Sequence, residues 1–220
     1  MTKRKKILIV VIVIILILAG LLAWQTWRWQ GKMGELKNYV TSLFSGEKKE
    51  ELPEDIKAAY DVLKKDQSDI DAYIALAAWK REKGELEDAI KLYQAALEIR
   101  PTDTLLLNNI ADIYNQNKQY SEAEAAYLKI VGNNPKWLSA YRNLADLYRY
   151  QMPEKQNEIP KILQKGLDNN SENELYFVAP MAIYYKDFGS KEEAIKWYER
   201  LIKLDPANET AKKELEELNK

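Results

Sequence analysis

The chain has 220 residues, with 33 basic and 34 acidic side chains, a formal net charge of −1, and neither histidine nor cysteine. Without histidine the chain lacks the usual general base near neutral pH and the commonest metal ligand. Without cysteine it lacks thiolate nucleophiles, disulfides and thiolate zinc sites. The sequence also contains no glycine-rich phosphate loop and no GxSxG or SxxK motif. We therefore predict that the chain is not an enzyme and binds neither a metal nor a cofactor.

The amino terminus contains a long apolar segment. Residues 7–24 carry no charge, and fourteen of them are Ile, Leu or Val. As an α-helix this segment would be about 27 Å long, which is close to the hydrocarbon thickness of a bilayer. Trp24 ends it and Trp27 and Trp29 follow, as is typical of a membrane interface. These features predict a transmembrane helix with an interfacial tryptophan belt over residues 7–29, in contact with lipid through residues 7–24.

The charges on either side of this segment predict its orientation. Four basic residues at positions 3–6 precede it, whereas only Arg28 and Lys32 follow closely. Because the denser positive cluster stays in the cytoplasm, residues 1–6 are predicted to be a cytoplasmic tail. The rest of the chain would then be extracytoplasmic, and a bacterial inner or plasma membrane is the predicted location. The alternative, a cleaved signal peptide, is less favoured because its apolar core is usually shorter, about 7–15 residues.

Residues 30–53 differ in composition from the segments on either side. Gly31, Gly34 and Gly46 interrupt them, and a charged run follows at 47–51. This composition predicts a partly flexible stalk or linker. After Pro53, apolar residues recur at helical spacing, which predicts a helix over residues 54–67 that covers the first repeat.

The rest of the chain is repetitive. Pro101 and Pro135 lie 34 residues apart, and each closes a stretch with the same pattern of large, small and aromatic residues. The matching residues are Tyr73, Leu76, Ala77, Ala89, Tyr93 and Ala96 in the first stretch, and Leu107, Ile110, Ala111, Tyr114, Ala123 and Tyr127 in the second. A third stretch begins near Leu138, and a fourth ends at Pro206. A fixed period of this length predicts stacked helix pairs, none of which buries its apolar face alone.

Several residues predict local departures from this period. Pro206 lies 71 residues after Pro135, so two periods of 34 leave three extra residues, which we place within 150–157. Gly84 and Gly189 are predicted to end helices with a positive φ.

Two further prolines also carry predictions. Pro160 is predicted to lie in the first turn of a helix that Asn157 caps. Pro180 lies within a helical pattern and removes the hydrogen bond to the carbonyl of Tyr176, so it should kink that helix or delay its start.

The order of residues within each stretch, with Ala89, Tyr93 and Pro101 as the best example, resembles the tetratricopeptide repeat. The resemblance covers residues 68–206 and implies about four helix–turn–helix repeats. Residues 207–220 are similar to the polar-backed helix that caps such arrays. The predicted fold class is therefore all-α: a transmembrane helix followed by a tetratricopeptide-like α-solenoid with a C-terminal capping helix.

In this family the first helix of each pair lines a concave surface, so the resemblance implies a binding groove there. Spacing selects polar and aromatic residues on those helices. The predicted partner-binding residues are Asn108, Asp112, Asn115, Arg142, Asp146, Arg149, Tyr176 and Lys186. Amides and arginines could bind a peptide backbone or a carboxylate. Alternatively, the three charged residues from Arg142 to Arg149 pair with one another along their own helix.

These features together predict a membrane-anchored scaffold or adaptor that presents its groove to a partner protein or peptide, in bacterial envelope biogenesis or secretion. Two alternatives remain open: a non-catalytic accessory subunit of an envelope enzyme complex, and an organelle import receptor whose repeats face the cytosol. Nucleic acid is not a predicted partner, because residues 35–220 hold 27 basic and 34 acidic side chains, a net charge of −7.

Overall fold

The computed structural model describes residues 3–45 and 52–220, and within these ranges all regular structure is helical. The α-helices are α1 (Lys3–Leu43), α2 (Glu54–Lys65), α3 (Ile70–Glu82), α4 (Leu86–Ile99), α5 (Thr104–Gln116), α6 (Tyr120–Asn133), α7 (Leu138–Tyr150), α8 (Ile159–Asn169), α9 (Glu174–Phe188), α10 (Lys191–Leu204) and α11 (Glu209–Leu218). The chain divides into two compact units, residues 1–83 and residues 84–220. The all-helical, tetratricopeptide-like solenoid predicted from the sequence is confirmed.

The predicted membrane span is not supported. Within residues 3–45 and 52–220, the structure contains no helix that is both long and apolar enough to cross a bilayer. The helix that begins at Lys3 is not confined to the apolar segment, because it continues to Leu43 and carries Arg28 and Glu35 on the way. The predicted localisation, a single-pass membrane protein with a cytoplasmic N-terminus and extracytoplasmic repeats, is therefore wrong. Contact with lipid through residues 7–24 is likewise unsupported.

The predicted break at Gly31 and Gly34 is also absent, because both glycines lie inside α1. Residues 1, 2 and 46–51, which include part of the predicted tail and the charged run, lie outside the described residues. In the first unit, Val40 and Phe44 at the end of α1 are buried. The Phe44 ring lies 4.6 Å from the ring of Tyr60 on α2 and stacks 5.6 Å from that of Trp79 on α3. This end of α1 therefore contributes to the core of the first unit together with α2 and α3.

In the second unit, successive helices pack as antiparallel pairs, and the core follows the repeat pattern. Ala111 and Ala123 are fully buried and let α5 and α6 approach closely. Tyr127 and Tyr141 fill the space beside such small residues and are almost completely buried. Each large buried side chain stabilises the fold by roughly 1.5–3 kcal/mol relative to an exposed one. The repeated pattern therefore places a continuous apolar core beneath the first helices of the pairs.

Helix starts repeat with the same period. Asp69 caps α3 by accepting a 2.8 Å hydrogen bond from the amide of Ala72. Asp103, 34 residues later, caps α5 by accepting hydrogen bonds of 3.0 and 3.2 Å from the amides of Leu105 and Leu106. Such caps satisfy amides that no intrahelical carbonyl reaches. The repeat therefore fixes helix boundaries as well as the core.

Helix ends follow the prediction only in part. Gly84 has φ +77°, as predicted. Gly189 does not: its φ of −105° is accessible to any residue. Glycine is needed at this position because there is no room for a side chain: a Cβ atom would lie 2.5 Å from Cδ1 of Tyr185. Lys118 is also left-handed, with φ 60°, and it lies 34 residues, or one repeat, after Gly84.

The three extra residues lie where the sequence predicts. A short 3₁₀ helix, Pro153–Glu158, lies between α7 and α8 and packs on α7. Pro160 lies in the first turn of α8, as predicted, but Asn157 does not cap that helix, because it lies inside the 3₁₀ segment and Glu158 holds the cap position. Helix α9 begins at Glu174 and continues through Pro180, so the proline does not delay its start.

The last helix, α11, packs on α10. Its Ala211 is buried in a cluster with Val178, Ala182, Tyr198 and Leu201. The rest of the α11 surface is largely charged, which suits an element at the end of a stacked array.

Candidate protein-binding face

The eight predicted binding residues lie on the first helices of three consecutive pairs in the second unit. Helices α5 and α7 each carry three of them, and α9 carries Tyr176 and Lys186. We call this set of residues, with the exposed side chains beside them on the same helices, the groove face. Side-chain contacts across it join α7 to α9.

On α5, Asp112 is held by two hydrogen bonds. The hydroxyl of Tyr127, from α6, donates to Oδ1 at 2.6 Å, and Nδ2 of Asn108 donates to Oδ2 at 3.2 Å. Burial and the bond to Asp112 raise the pKa of Tyr127 far above its ordinary value, against a smaller opposing effect of a hydrogen bond with Asn143 of α7. The Asp112 carboxylate is therefore fixed in place by the core beneath it.

The other two residues on α5 have fewer contacts. Oδ1 of Asn108 is buried without a hydrogen-bond partner. Asn115 is half-buried, and its side chain makes no hydrogen bond within residues 3–45 and 52–220. This end of the groove face therefore keeps polar groups that the fold itself does not use.

On α7, Arg149 forms its ion pair with the next first helix and also lies near an aromatic ring of its own helix. Its guanidinium donates to the Asp187 carboxylate of α9 and lies 5.6 Å from the Phe188 ring and 5.4 Å from the Tyr150 ring. The alternative in which the charged residues of α7 pair with one another holds only in part: Arg149 forms its ion pair with Asp187 of α9, although its charge and that of Arg142 also act on Asp146.

Asp146 and Arg142 complete the α7 row. Loss of water around the Asp146 carboxylate raises its pKa, although Arg142 and Arg149 act in the opposite direction. The Arg142 guanidinium lies 5.5 Å from the centre of the Tyr176 ring on α9. Within the described part of the chain it forms no hydrogen-bonded ion pair, although its charge acts on Asp146 and its guanidinium lies near the Tyr176 ring.

On α9, the groove face is more apolar. Leu175 and Ile183 are 44% and 40% exposed, and Ala179 lies between them at helical spacing. At the end of this row, Nζ of Lys186 lies 2.7 Å from Oε2 of Glu214 on α11. The exposed Leu175 and Ile183 could pack against an apolar partner, whereas Ala179 packs against the buried cluster around Val178.

Sequence reasoning missed Tyr127, Asp187 and Glu214, which hold three of the predicted residues in place. Asp187 could have been found, because it lies eleven residues, or three helical turns, after Tyr176 and so shares its side of α9. Tyr127 matches the repeat pattern as a core residue, and nothing in that pattern shows that its hydroxyl reaches Asp112. Glu214 pairs with Lys186 across two helices, and no sequence spacing predicts such a contact.

A cleft lies away from the groove face, between α4, α5 and α6. Its volume is about 550 Å³, and its lining includes Leu97, Leu107, Ile110 and Ala126. Gln94 donates a 2.8 Å hydrogen bond to the Tyr114 hydroxyl beside it. None of the predicted binding residues lines this cleft.

No metal site is apparent near these residues: within residues 3–45 and 52–220, no cluster of three or more acidic side chains is arranged to hold an ion. Side chains of the groove face instead present amide, carboxylate, guanidinium and apolar groups, which are the chemistry of contacts between proteins.

Comparisons with known proteins agree with the geometry. Two segments match family models described as tetratricopeptide repeat, residues 80–147 and residues 181–208. No curated protein matches the chain in sequence.

Solved structures share the fold. The crystal structure of MamA protein is 21% identical, with a TM-score of 0.56, and the match covers 68% of this chain and 80% of that one. The C-terminal part of a TPR repeat-containing protein from Cytophaga hutchinsonii is 23% identical, with a TM-score of 0.60 and coverage of 71% and 64%. YrrB, described as a TPR protein with an unusual peptide-binding site, is 20% identical, with a TM-score of 0.54 and coverage of 71% and 79%.

These likenesses establish the fold, and the family models establish the repeats. Proteins built from tetratricopeptide repeats bind protein or peptide partners and are generally non-catalytic interaction modules. The chain therefore carries tetratricopeptide repeats at residues 80–147 and 181–208, on a fold that serves as a scaffold for contacts between proteins.

Proposed function

We propose that the chain is an interaction scaffold that binds a partner protein or peptide on the groove face of α5, α7 and α9. One observation carries this proposal: a row of contacts fixes side chains of the groove face, from α6 to α5 and from α7 to α9, while apolar and charged groups remain exposed beside those contacts. The Tyr127–Asp112, Arg142–Tyr176 and Arg149–Asp187 contacts make up this row.

A row of contacts of this kind reduces the cost of binding. Side chains that are already held in one conformation lose little further freedom when a partner docks. Asp112 is held by two hydrogen bonds, and Arg149 is held between a carboxylate and two aromatic rings. The exposed Ile183 provides an apolar contact in the same face. Fixed polar groups beside an exposed apolar group favour a specific partner over non-specific adhesion.

The experiment uses a photoreactive residue, p-benzoylphenylalanine, in place of Ile183 in the full chain. We expect irradiation in an extract of the source cells to give an adduct with one defined protein. A matched probe replaces Leu128, which is 44% exposed on α6 and lies outside the groove face, and it should not give that adduct.

A second comparison uses reversal of charge. Asp146→Lys on the groove face should remove the Ile183 adduct, whereas Glu122→Lys on α6 should leave it unchanged. Equal adducts from positions 183 and 128, or an adduct that survives Asp146→Lys, would contradict the proposal.

A further inference from the structure

A depression opens where the start of α9 faces α7. Its volume is about 480 Å³. The residues that line it are Arg142, Glu172, Asn173, Glu174, Leu175 and Tyr176. It adjoins the groove face and contains two of the predicted binding residues, Arg142 and Tyr176.

Both acidic residues of the depression have basic partners outside it. Oε1 of Glu172 lies 3.2 Å from Nζ of Lys136, and Oε1 of Glu174 lies 2.5 Å from Nε of Arg200. These pairs offset the negative charge that would otherwise repel an anion. The remaining charge in the depression is that of Arg142.

Arg142 differs from the other cations of the groove face. Arg149 pairs with Asp187, and Lys186 pairs with Glu214, whereas Arg142 has no ion pair in the described part of the chain. Its guanidinium carbon lies 5.5 Å from the centre of the Tyr176 ring, and its N–H groups donate no hydrogen bond within residues 3–45 and 52–220. These N–H groups form a planar fork, which can donate to both oxygens of a carboxylate.

We infer that this depression binds a carboxylate of the partner, with Arg142 donating to it and Leu175 contacting an adjacent apolar group. This inference rests on the proposed function and names the chemistry of its ligand. The start of α9 favours the same ligand, because Asn173 gives its first turn no side-chain cap and the amides there carry partial positive charge. Leu175, 44% exposed, lies at the edge of the same depression.

The carboxylate could be the C-terminus of a peptide or an Asp or Glu side chain within it. Three short peptides distinguish these sources: acetyl-Leu-Leu with a free carboxylate, its amide, and acetyl-Leu-Glu-Leu-amide. Each is titrated into the full ¹⁵N-labelled chain while the NMR signal of the Arg142 Nε–H group is followed. We expect at least one carboxylate peptide to shift this signal to saturation, and the neutral amide not to shift it; the tighter of the two carboxylate peptides identifies the source.

Matched arginine variants test the role of the residue. Arg142→Gln should weaken binding of the carboxylate peptide about tenfold or more, because it removes a charge-assisted hydrogen bond. Arg142→Lys keeps the charge but loses the planar fork, and it should give an intermediate loss. Arg100→Gln, at an exposed arginine beyond the end of α4, should leave the affinity within about twofold.

The inference is wrong if the neutral amide binds as tightly as the carboxylate peptides, if no peptide shifts the Arg142 signal, or if the two glutamine variants weaken binding equally. If the photoreactive group at position 183 still captures a partner in that case, the proposed function stands, and only the inference that the ligand is a carboxylate is wrong. If neither the carboxylate peptides bind at Arg142 nor position 183 gives an adduct, the proposed function is wrong as well.

Discussion

The hydroxyl of Tyr127 donates a 2.6 Å hydrogen bond to Oδ1 of Asp112, and it thereby connects a core residue that is 2% exposed to a carboxylate on the groove face. The bond joins the second helix of one pair to the first helix of the same pair. A hydrogen bond between a buried hydroxyl and an ionised carboxylate is among the stronger ones in a folded protein. Stability and the geometry of the proposed site therefore depend on the same bond.

Replacing Tyr127 with Phe should lower the free energy of unfolding by about 1.5–3 kcal/mol, because the hydrogen bond to a charged group is lost and Asp112 keeps only its contact with Asn108. Urea unfolding followed by circular dichroism measures this loss. Tyr150→Phe, at a side chain that is 67% exposed, is the control and should change stability by less than about 0.5 kcal/mol. Equal effects of the two variants would contradict the role given to this bond.

Alkaline pH should destabilise the chain through its buried tyrosines. Burial and the nearby Asp66 raise the pKa of Tyr73 to about 12, and burial raises the pKa of Tyr127 and Tyr148 further, helped by their carboxylate partners. An unfolded tyrosine has a pKa of about 10, so the folded state holds these protons more tightly. The resulting stability is fully present below about pH 10 and is lost as the pH rises through the folded-state values.

Each of these tyrosines should therefore contribute a loss of up to about 1.4 kcal/mol per pH unit above about pH 10. Urea unfolding at a series of pH values from 9 to 11 measures the slope. Tyr127→Phe should reduce that slope, whereas Tyr150→Phe should not. A slope that is the same in all three chains would show that Tyr127 ionises as freely in the folded state as in the unfolded one.

Lys118 carries a backbone strain that glycine would remove. Its φ is 60°, and the amides of Lys118 and Gln119 bond to the carbonyls of Asn115 and Tyr114, which is the hydrogen-bond pattern of a Schellman motif. A left-handed conformation costs a residue with a Cβ atom roughly 1–2 kcal/mol. Lys118→Gly should therefore raise the free energy of unfolding by about 1 kcal/mol, and the melting temperature should rise with it. Gly84→Ala, the reverse change at φ +77°, should lower it by a similar amount. A destabilised Lys118→Gly variant would contradict this account.

Two glycines inside helices should respond oppositely to alanine. At Gly166 in α8, an added Cβ would lie 2.3 Å from Cε1 of Phe177, whereas at Gly132 in α6 it would meet no atom within 4 Å. Gly166→Ala should cost about 1–3 kcal/mol through overpacking, since the Phe177 ring is fully buried. Gly132→Ala should instead stabilise by up to about 1 kcal/mol, because alanine restricts the unfolded chain. Thermal unfolding measures the change in stability of both variants. If both changes have the same sign, the account given for these two glycines is wrong.

The features that sequence reasoning predicted correctly are those that the 34-residue period encodes locally. The period gave the helix pairs, the buried Ala and Tyr positions and the place of the extra residues near Pro153. It does so because each repeat must bury the same face against its neighbour, which restricts residue size at fixed positions.

The features that sequence reasoning missed depend on contacts between helices that are distant in sequence, or on distances between individual atoms. Arg149 has one acidic residue, Asp146, within reach on its own helix, yet it forms its ion pair with Asp187, 38 residues away. At Gly189 the sequence shows only that a small residue is needed, and it does not separate a positive φ from a close approach to Tyr185. The predicted binding of a partner by the groove face remains to be tested by the experiments above.

Phe44 shows what a shortened version of this chain must retain. Its ring stacks on Trp79 and touches Tyr60, so deletion of everything before Pro53 would uncover two aromatic side chains that the intact chain keeps covered. Fragments for crystallisation or peptide screening should therefore begin before Val40. A fragment that begins at the first recognisable repeat would expose an apolar aromatic patch, which favours aggregation.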